Sequence, residues 1–251
     1  MPFADQIGPL VVLAFTGLLV LLRFDAPRFG AAEYDDEEAE GGWRIGARRF
    51  TWYLLGFVLA VLIYQLAPRP ISELHLGIGE NRGGALALGL AFGILGTAVA
   101  AGFAWFRYQR FRLPEVRHYP GAIANSVGTA LIDEIAFRGA VLGMLLTLGW
   151  SDELALVGQI LLYGLATRLG AGHRSRWMLL ISLFIAAVAG WLTIATGGIG
   201  AAILGHAITR FAIFVTTGHA GQVQPPGYEP EEVEQGLLPP EGWRVVRQGD
   251  R

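Results

Sequence analysis

Three ionisable residues stand inside an apolar stretch at Asp133-Glu134-Ile135-Ala136-Phe137-Arg138-Gly139, within a run from about 122 to 148. Charges in hydrocarbon are costly, so they are seldom present without a partner or a task. Residues four apart share one face of a helix, which lets Glu134 and Arg138 pair along it. A buried ion pair that orients the helix is sufficient explanation for those two. Asp133 points about 100° away from Glu134 and has no partner on its own helix. It needs one on another helix, or must carry a proton, because an apolar interior penalises the charged form. An acid isolated in this way is a candidate general acid or base.

Few other polar residues lie in apolar segments. His206 and Arg210 fall four apart in Gly205-His206-Ala207-Ile208-Thr209-Arg210, and Tyr163 and Thr167 have the same spacing in Tyr163-Gly164-Leu165-Ala166-Thr167. A lone membrane histidine is often only a hydrogen-bonded core residue. Two polar pairs together with the acidic cluster, all in the later part of the chain, point instead to one shared interior site. There is no His-Glu-x-x-His spacing, and one membrane histidine supplies a zinc ion poorly, so no metal or other cofactor is expected. The absence of cysteine excludes disulfides and thiolate ligands. A phosphate-binding glycine loop and a nucleophile elbow are also missing.

The stretch Asp133 to Gly139 resembles the Glu-Glu-x-x-Phe-Arg-Gly motif of the CPBP intramembrane proteases. That family is also called Abi and includes the type II CAAX prenyl endopeptidases. Tyr163 to Thr167 falls where the family has Phe-x-x-x-His, and His206 to Arg210 where it has His-x-x-x-Asn or His-x-x-x-Asp. The resemblance covers roughly residues 120–217. It implies an all-helical membrane fold whose catalytic polar residues face an interior cavity. It further implies Asp133 as the acid that activates water, Glu134 and Arg138 as its supporting pair, and His206 as part of an oxyanion-stabilising pair. No metal is implied at these positions.

Three positions depart from the motifs. Asp133 is one methylene shorter than glutamate, a displacement of about 1.5 Å, and an error of that order can cost about a hundredfold in rate. Thr167 replaces a histidine and cannot exchange a proton near neutral pH. Arg210 replaces a small polar residue; it could stabilise an oxyanion, or fill the site and pair with Asp133. Two functions therefore stay open. One is an intramembrane endopeptidase, at full or attenuated strength, acting on a membrane-associated or lipidated peptide. The alternative is a catalytically inactive relative that binds or scaffolds a membrane partner. A transporter relay through Asp133, His206 and Arg210 is a third and weaker idea, since no paired repeats are visible.

The elements that must position these residues are membrane helices. Hydrophobic residues make up 53% of the 251 and charged residues only 16%, with mean hydropathy +0.46; soluble domains are about one quarter charged. The net charge of −2 and the lack of a basic face argue against nucleic acid, leaving the lipid bilayer and a membrane-associated peptide or protein as partners. A span needs roughly 20 apolar residues, and the candidates are 7–23, 50–67, 84–106, 121–148, 153–168, 177–195 and 199–217: an all-α bundle of about seven helices. The first run, followed by Arg23 and Arg28 rather than preceded by basic residues, reads as a retained anchor and not a signal peptide. All 19 basic residues are arginine, and they concentrate on alternate loops. The positive-inside rule then puts the N-terminus outside and the C-terminus in the cytoplasm of a multi-pass cell-membrane protein.

Three parts follow: N-terminal helices over 1–119, a protease-like core over 120–217, and a polar, proline-rich tail over 218–251 that is too polar to build a core. The run Asp35-Asp36-Glu37-Glu38 with Glu40 reads as a solvated acidic loop. Gly42-Trp43-Arg44-Ile45 and Gly242-Trp243-Arg244-Val245 read as interfacial anchors. Gly89, Gly93, Gly96 and Gly102 are expected to let helices approach closely.

Overall fold

A computed structural model describes residues 3–31, 42–66, 74–169 and 176–219. The acidic run near Asp35, Arg69, Arg174 and the tail from residue 220 lie outside the described residues. Among the described residues eight α-helices form seven rods: α1 (Phe3–Phe24), α2 (Gly42–Leu66), α3 (Arg82–Tyr108), α4 (Tyr119–Glu134) continuing into α5 (Gly143–Thr147), α6 (Asp152–Leu169), α7 (Arg176–Thr196) and α8 (Gly200–Thr217). The described residues contain no β-strand, so the all-helical expectation holds. Each of the seven apolar segments meets one rod. Among the described residues four helices are long and apolar enough to cross a membrane: Trp43–Leu66, Arg82–Tyr108, Leu179–Thr196 and Gly200–Thr217. Helix α1 carries a shorter apolar piece, Leu10–Phe24.

The helices are inside-out relative to a soluble bundle. On α6, Leu154, Val157, Leu161 and Leu165 are exposed, whereas Ala155, Gln159, Tyr163 and Ala166 are buried. On α1, Leu10, Leu13 and Leu21 face outward while Val12, Thr16, Leu19 and Arg23 are buried. These last four sit at i, i+4, i+7 and i+11, one face of a helix. The apolar side chains outside need an apolar surround, and the polar ones inside need each other.

Helix α3 packs along α8, α4 also packs on α8, and α6 packs on α7. Small residues set the closest of these contacts. A Cβ added at Gly89 would come within 2.9 Å of Ala201 O, one at Gly93 within 2.8 Å of Ile208 Cβ, and one at Gly96 would overlap Thr209. From the other side, Gly205 of α8 faces Phe92. Gly102 is an exception to the expected stripe: nothing lies within 4 Å of its added Cβ, because it falls on a face of α3 with no neighbour.

Helix ends follow local chemistry. Asn81 caps α3, its side chain accepting from Gly84 N at 3.0 Å, a common way to satisfy an orphan amide. Pro120 stands in the first turn of α4, where its missing N–H costs nothing. Gly218, at φ 83°, closes α8 with a left-handed cap. His219 beyond it is buried and bonded to Thr217.

Between α4 and α5 the rod changes pitch. Residues Ile135–Leu142 form a π-helical stretch that begins directly after Glu134. Such widened turns are rare and collect at functional sites. Here the irregular segment 74–80 presses on the stretch and on the start of α5: Leu76 packs on Gly139, and Leu74 backbone lies 2.8 Å from where a Gly143 Cβ would be. The same segment ties down the α7–α8 turn, with Ile199 N donating to Gly77 O at 2.9 Å and Glu80 N to Thr196 O at 2.9 Å.

Candidate active site

Asp133, Glu134 and Arg138 are fully buried on the α4–π rod. The Glu134–Arg138 pair expected from spacing is present, with Oε2 and Nε 3.2 Å apart. None of the three guanidinium nitrogens meets hydrogen-bond geometry, so charge holds the pair and stacking steadies it. The Arg138 guanidinium lies 4.4 Å from the centre of the Tyr163 ring, within cation–π range. The other Glu134 oxygen, Oε1, stands 2.6 Å from His206 Nδ1. One carboxylate therefore joins α8 to the acid rod and to Arg138. A carboxylate on Nδ1 orients the imidazole and leaves Nε2 as the working nitrogen.

Asp133 finds its partners elsewhere. Oδ2 accepts from Tyr163 OH at 3.2 Å, and Oδ1 is 2.6 Å from Arg23 Nε. Arg23 corrects the sequence reading, which placed it in a loop among the arginines that set orientation. It is the last-turn basic residue of α1 and is buried. Its position on the inward stripe with Val12, Thr16 and Leu19 carries it into the protein. That stripe was the only signal that could have found it, and an arginine closing an apolar run is more often an interfacial anchor. His206 goes to Glu134 rather than to Asp133.

Tyr163 is the hub of α6. Besides Asp133 and Arg138 it meets Phe137 edge-on at 5.1 Å and His206 edge-on at 6.5 Å. Thr167, one turn later on the same face, is buried with an Oγ1 that has no hydrogen-bond partner.

Arg210 is buried on α8 and lies within electrostatic reach of Asp133. Its Nη2 donates to Asn125 Oδ1 at 3.1 Å. The Asn125 amide in turn donates to Ala31 O at 2.8 Å and to Tyr53 OH at 2.9 Å, and Tyr53 OH is 3.1 Å from Thr129 Oγ1. Asn125, Tyr53 and Thr129 escaped the sequence reading. Each is uncharged; Asn125 and Thr129 lie four apart on α4, a spacing that could have flagged them, whereas Tyr53 on α2 carries no signal until the helices are assembled.

An apolar groove of about 360 Å³ adjoins the rod, lined in part by Phe57, Tyr64, Leu76, Leu131, Ile135 and Ile203. Leu131 and Ile135 flank the two acids in sequence and turn toward this groove. Among the described residues no group of three His, Cys, Asp or Glu side chains could hold a metal ion.

The assembled geometry can be set beside known proteins. Residues 115–212 match the model of the family described as type II CAAX prenyl endopeptidase Rce1-like. The CPBP resemblance holds over these residues. The Rce1-like segment contains Asp133, Glu134, Arg138, Tyr163, Thr167, His206 and Arg210, as well as Asn125 and Thr129; Arg23 and Tyr53 lie outside it. No curated protein and no solved structure matches the chain. The matched family is one of endopeptidases, and the chain compared with it has four described helices long and apolar enough to cross a membrane.

Proposed function

We propose that this protein is an intramembrane endopeptidase that hydrolyses a peptide bond in a membrane-associated substrate, lipidated C-terminal peptides being the first class to test. The observation that carries the reading is the bridging carboxylate of Glu134, 3.2 Å from Arg138 Nε and 2.6 Å from His206 Nδ1. It gathers residues seventy-two positions apart, all matching the family's motifs, at one buried point beside a second acid.

In this reading Asp133 takes a proton from water as the oxygen bonds to the scissile carbonyl carbon. The carbonyl π electrons move onto oxygen, and collapse of the tetrahedral species expels the amine, which recovers the proton from Asp133. Arg210, held by Asn125, supplies a positive donor to the developing oxyanion, and His206, held through Nδ1 by Glu134, stands beside it. Preorganised donors of this kind contribute about 3–4 kcal/mol each in a water-poor site. Glu134 and Arg138 position rather than react. Tyr163 and Thr167 occupy the second-motif face, with the Tyr163 hydroxyl on Asp133 in place of a histidine. Residues 120–217 form the protease-like core, and the arginines left after Arg23 is removed still favour an outside N-terminus in the cell membrane.

The test uses purified protein in lipid nanodiscs with internally quenched peptides, lipidated and plain. Turnover that disappears in Asp133→Asn supports the reading. Absence of turnover, or turnover indifferent to that substitution, overturns it.

A further inference from the structure

Arg23 lies far outside the Rce1-like segment, yet it makes the shortest contact of the reacting acid. Its Nε is 2.6 Å from Asp133 Oδ1, and the two side chains are 5% and 0% exposed. An ion pair this deep is not a surface accident. Removing two charges from water costs several kcal/mol per ion, and the pair survives only if its geometry and surroundings are held in place.

The fold holds them. Val12, Thr16 and Leu19 seat the inward face of α1 against a core that includes Trp52, Ile63, Phe137 and Tyr163. Trp52 Nε1 donates to Leu22 O at 2.8 Å, one residue before Arg23, which fixes the last turn of α1 to α2. Beyond it, residues Ala26–Phe29 turn sharply with Pro27 in the first turn, and Arg49 Nε donates to Gly30 O at 2.6 Å. Arg23 is thus clamped by backbone contacts on both sides. The other oxygen of Asp133 accepts from the Tyr163 hydroxyl. The carboxylate is therefore held from two different helices, by a hydrogen bond from α6 at Oδ2 and by the charge of Arg23 from α1 at Oδ1, where the contact is an ion pair without hydrogen-bond geometry.

We propose that Arg23 is a positioning residue of the intramembrane acid site, fixing the Asp133 carboxylate together with Tyr163. The proposal rests on the peptidase reading above. Of the other charged groups, Glu134 and Arg138 are engaged with each other and with His206, and Arg210, bonded to Asn125, adds its charge to the field at Asp133. Thr167 has no charge with which to keep a buried carboxylate ionised. A carboxylate that must accept a proton from water has to be ionised when substrate arrives, and a guanidinium at one oxygen secures this while leaving lone pairs free. A planar guanidinium fixes direction as well as charge, which an ammonium does less well. The first helix is then part of the working site.

The experiment measures kcat and KM for wild type, Arg23→Gln and Arg23→Lys in nanodiscs, with melting temperatures to confirm folding. The expected result is a kcat loss of about tenfold or more in Arg23→Gln with KM held within about twofold, the signature of an interaction that acts on the reacting group. Arg23→Lys should recover part of that loss. If Arg23→Gln fails to fold, Arg23→Lys decides: reduced kcat at unchanged KM supports the proposal. A folded variant with unchanged kcat, a change confined to KM, or a lysine variant no better than a folded glutamine variant overturns it. Wild-type protein without turnover overturns the peptidase reading and this proposal together, whereas an active wild type with indifferent Arg23 variants overturns the proposal alone.

Discussion

Glu134 and His206, seventy-two residues apart, meet at 2.6 Å between Oε1 and Nδ1, and the same carboxylate also faces Arg138. The contact ties α8 to the rod that carries both acids. A charge shared among three buried side chains cannot be removed without leaving its neighbours uncompensated.

Glu134→Ala should therefore destabilise strongly, by about 3–5 kcal/mol, because the Arg138 guanidinium stays buried without its counter-charge. Thermal unfolding in detergent reads this directly. Replacing both by apolar residues, Glu134→Leu with Arg138→Met, should recover much of the loss. A double substitution as damaging as the sum of the singles would show that the pair is not coupled.

Tyr163 separates two contacts that can be tested apart. Tyr163→Phe removes the hydroxyl on Asp133 while keeping a ring beneath Arg138. Turnover should fall by about tenfold, the value of one hydrogen bond to a charged group, with a small change in melting temperature. Tyr163→Ala should lose both turnover and stability, since about 3–5 kcal/mol of packing goes with the ring.

Asn125 links Arg210 on α8 to Ala31 and to Tyr53 on α2. Asn125→Ala should cost about 1–3 kcal/mol by removing the hydrogen bonds to Arg210, Ala31 and Tyr53. Under the peptidase reading it should also lower kcat more than Tyr53→Phe, which removes only the hydroxyl end of the network. Equal kinetic effects from the two variants would argue against a role in holding Arg210.

The glycines of α3 give a control built into one helix. Gly96→Ala drives a methyl into Thr209 of α8 and should cost about 1–3 kcal/mol through overpacking. Gly102→Ala meets open space and should be neutral or stabilising by up to about 1 kcal/mol, since alanine orders more readily in a helix. Melting temperatures of the two variants compare them directly.

Much of the candidate site could be read from sequence because its logic is local. Glu134 and Arg138 share a helical face by spacing alone, and their ion pair is where that spacing puts it. His206 enters the candidate site by its order after the acidic motif, but its partner Glu134 is visible only in the packed bundle. The close approach at Gly89, Gly93 and Gly96 follows from small residues at helical intervals. Gly102 has the same residue type and fails, because composition does not say which face of a helix has a neighbour.

What the chain determined by itself is one-dimensional: apolar length, helical period, and the burial of charges in an apolar run that demands partners. Those three dictate a helical membrane protein with its polar residues turned inward. Which partner each charge finds depends on how rods separated by tens of residues are turned about their axes, and only the packed bundle decides that. Asp133 shows the difference. That it needs a partner or a proton is evident from its own helix, but its pairing with Arg23 follows from the inward stripe of α1, the Trp52 clamp at Leu22 and the widened turns that begin after Glu134.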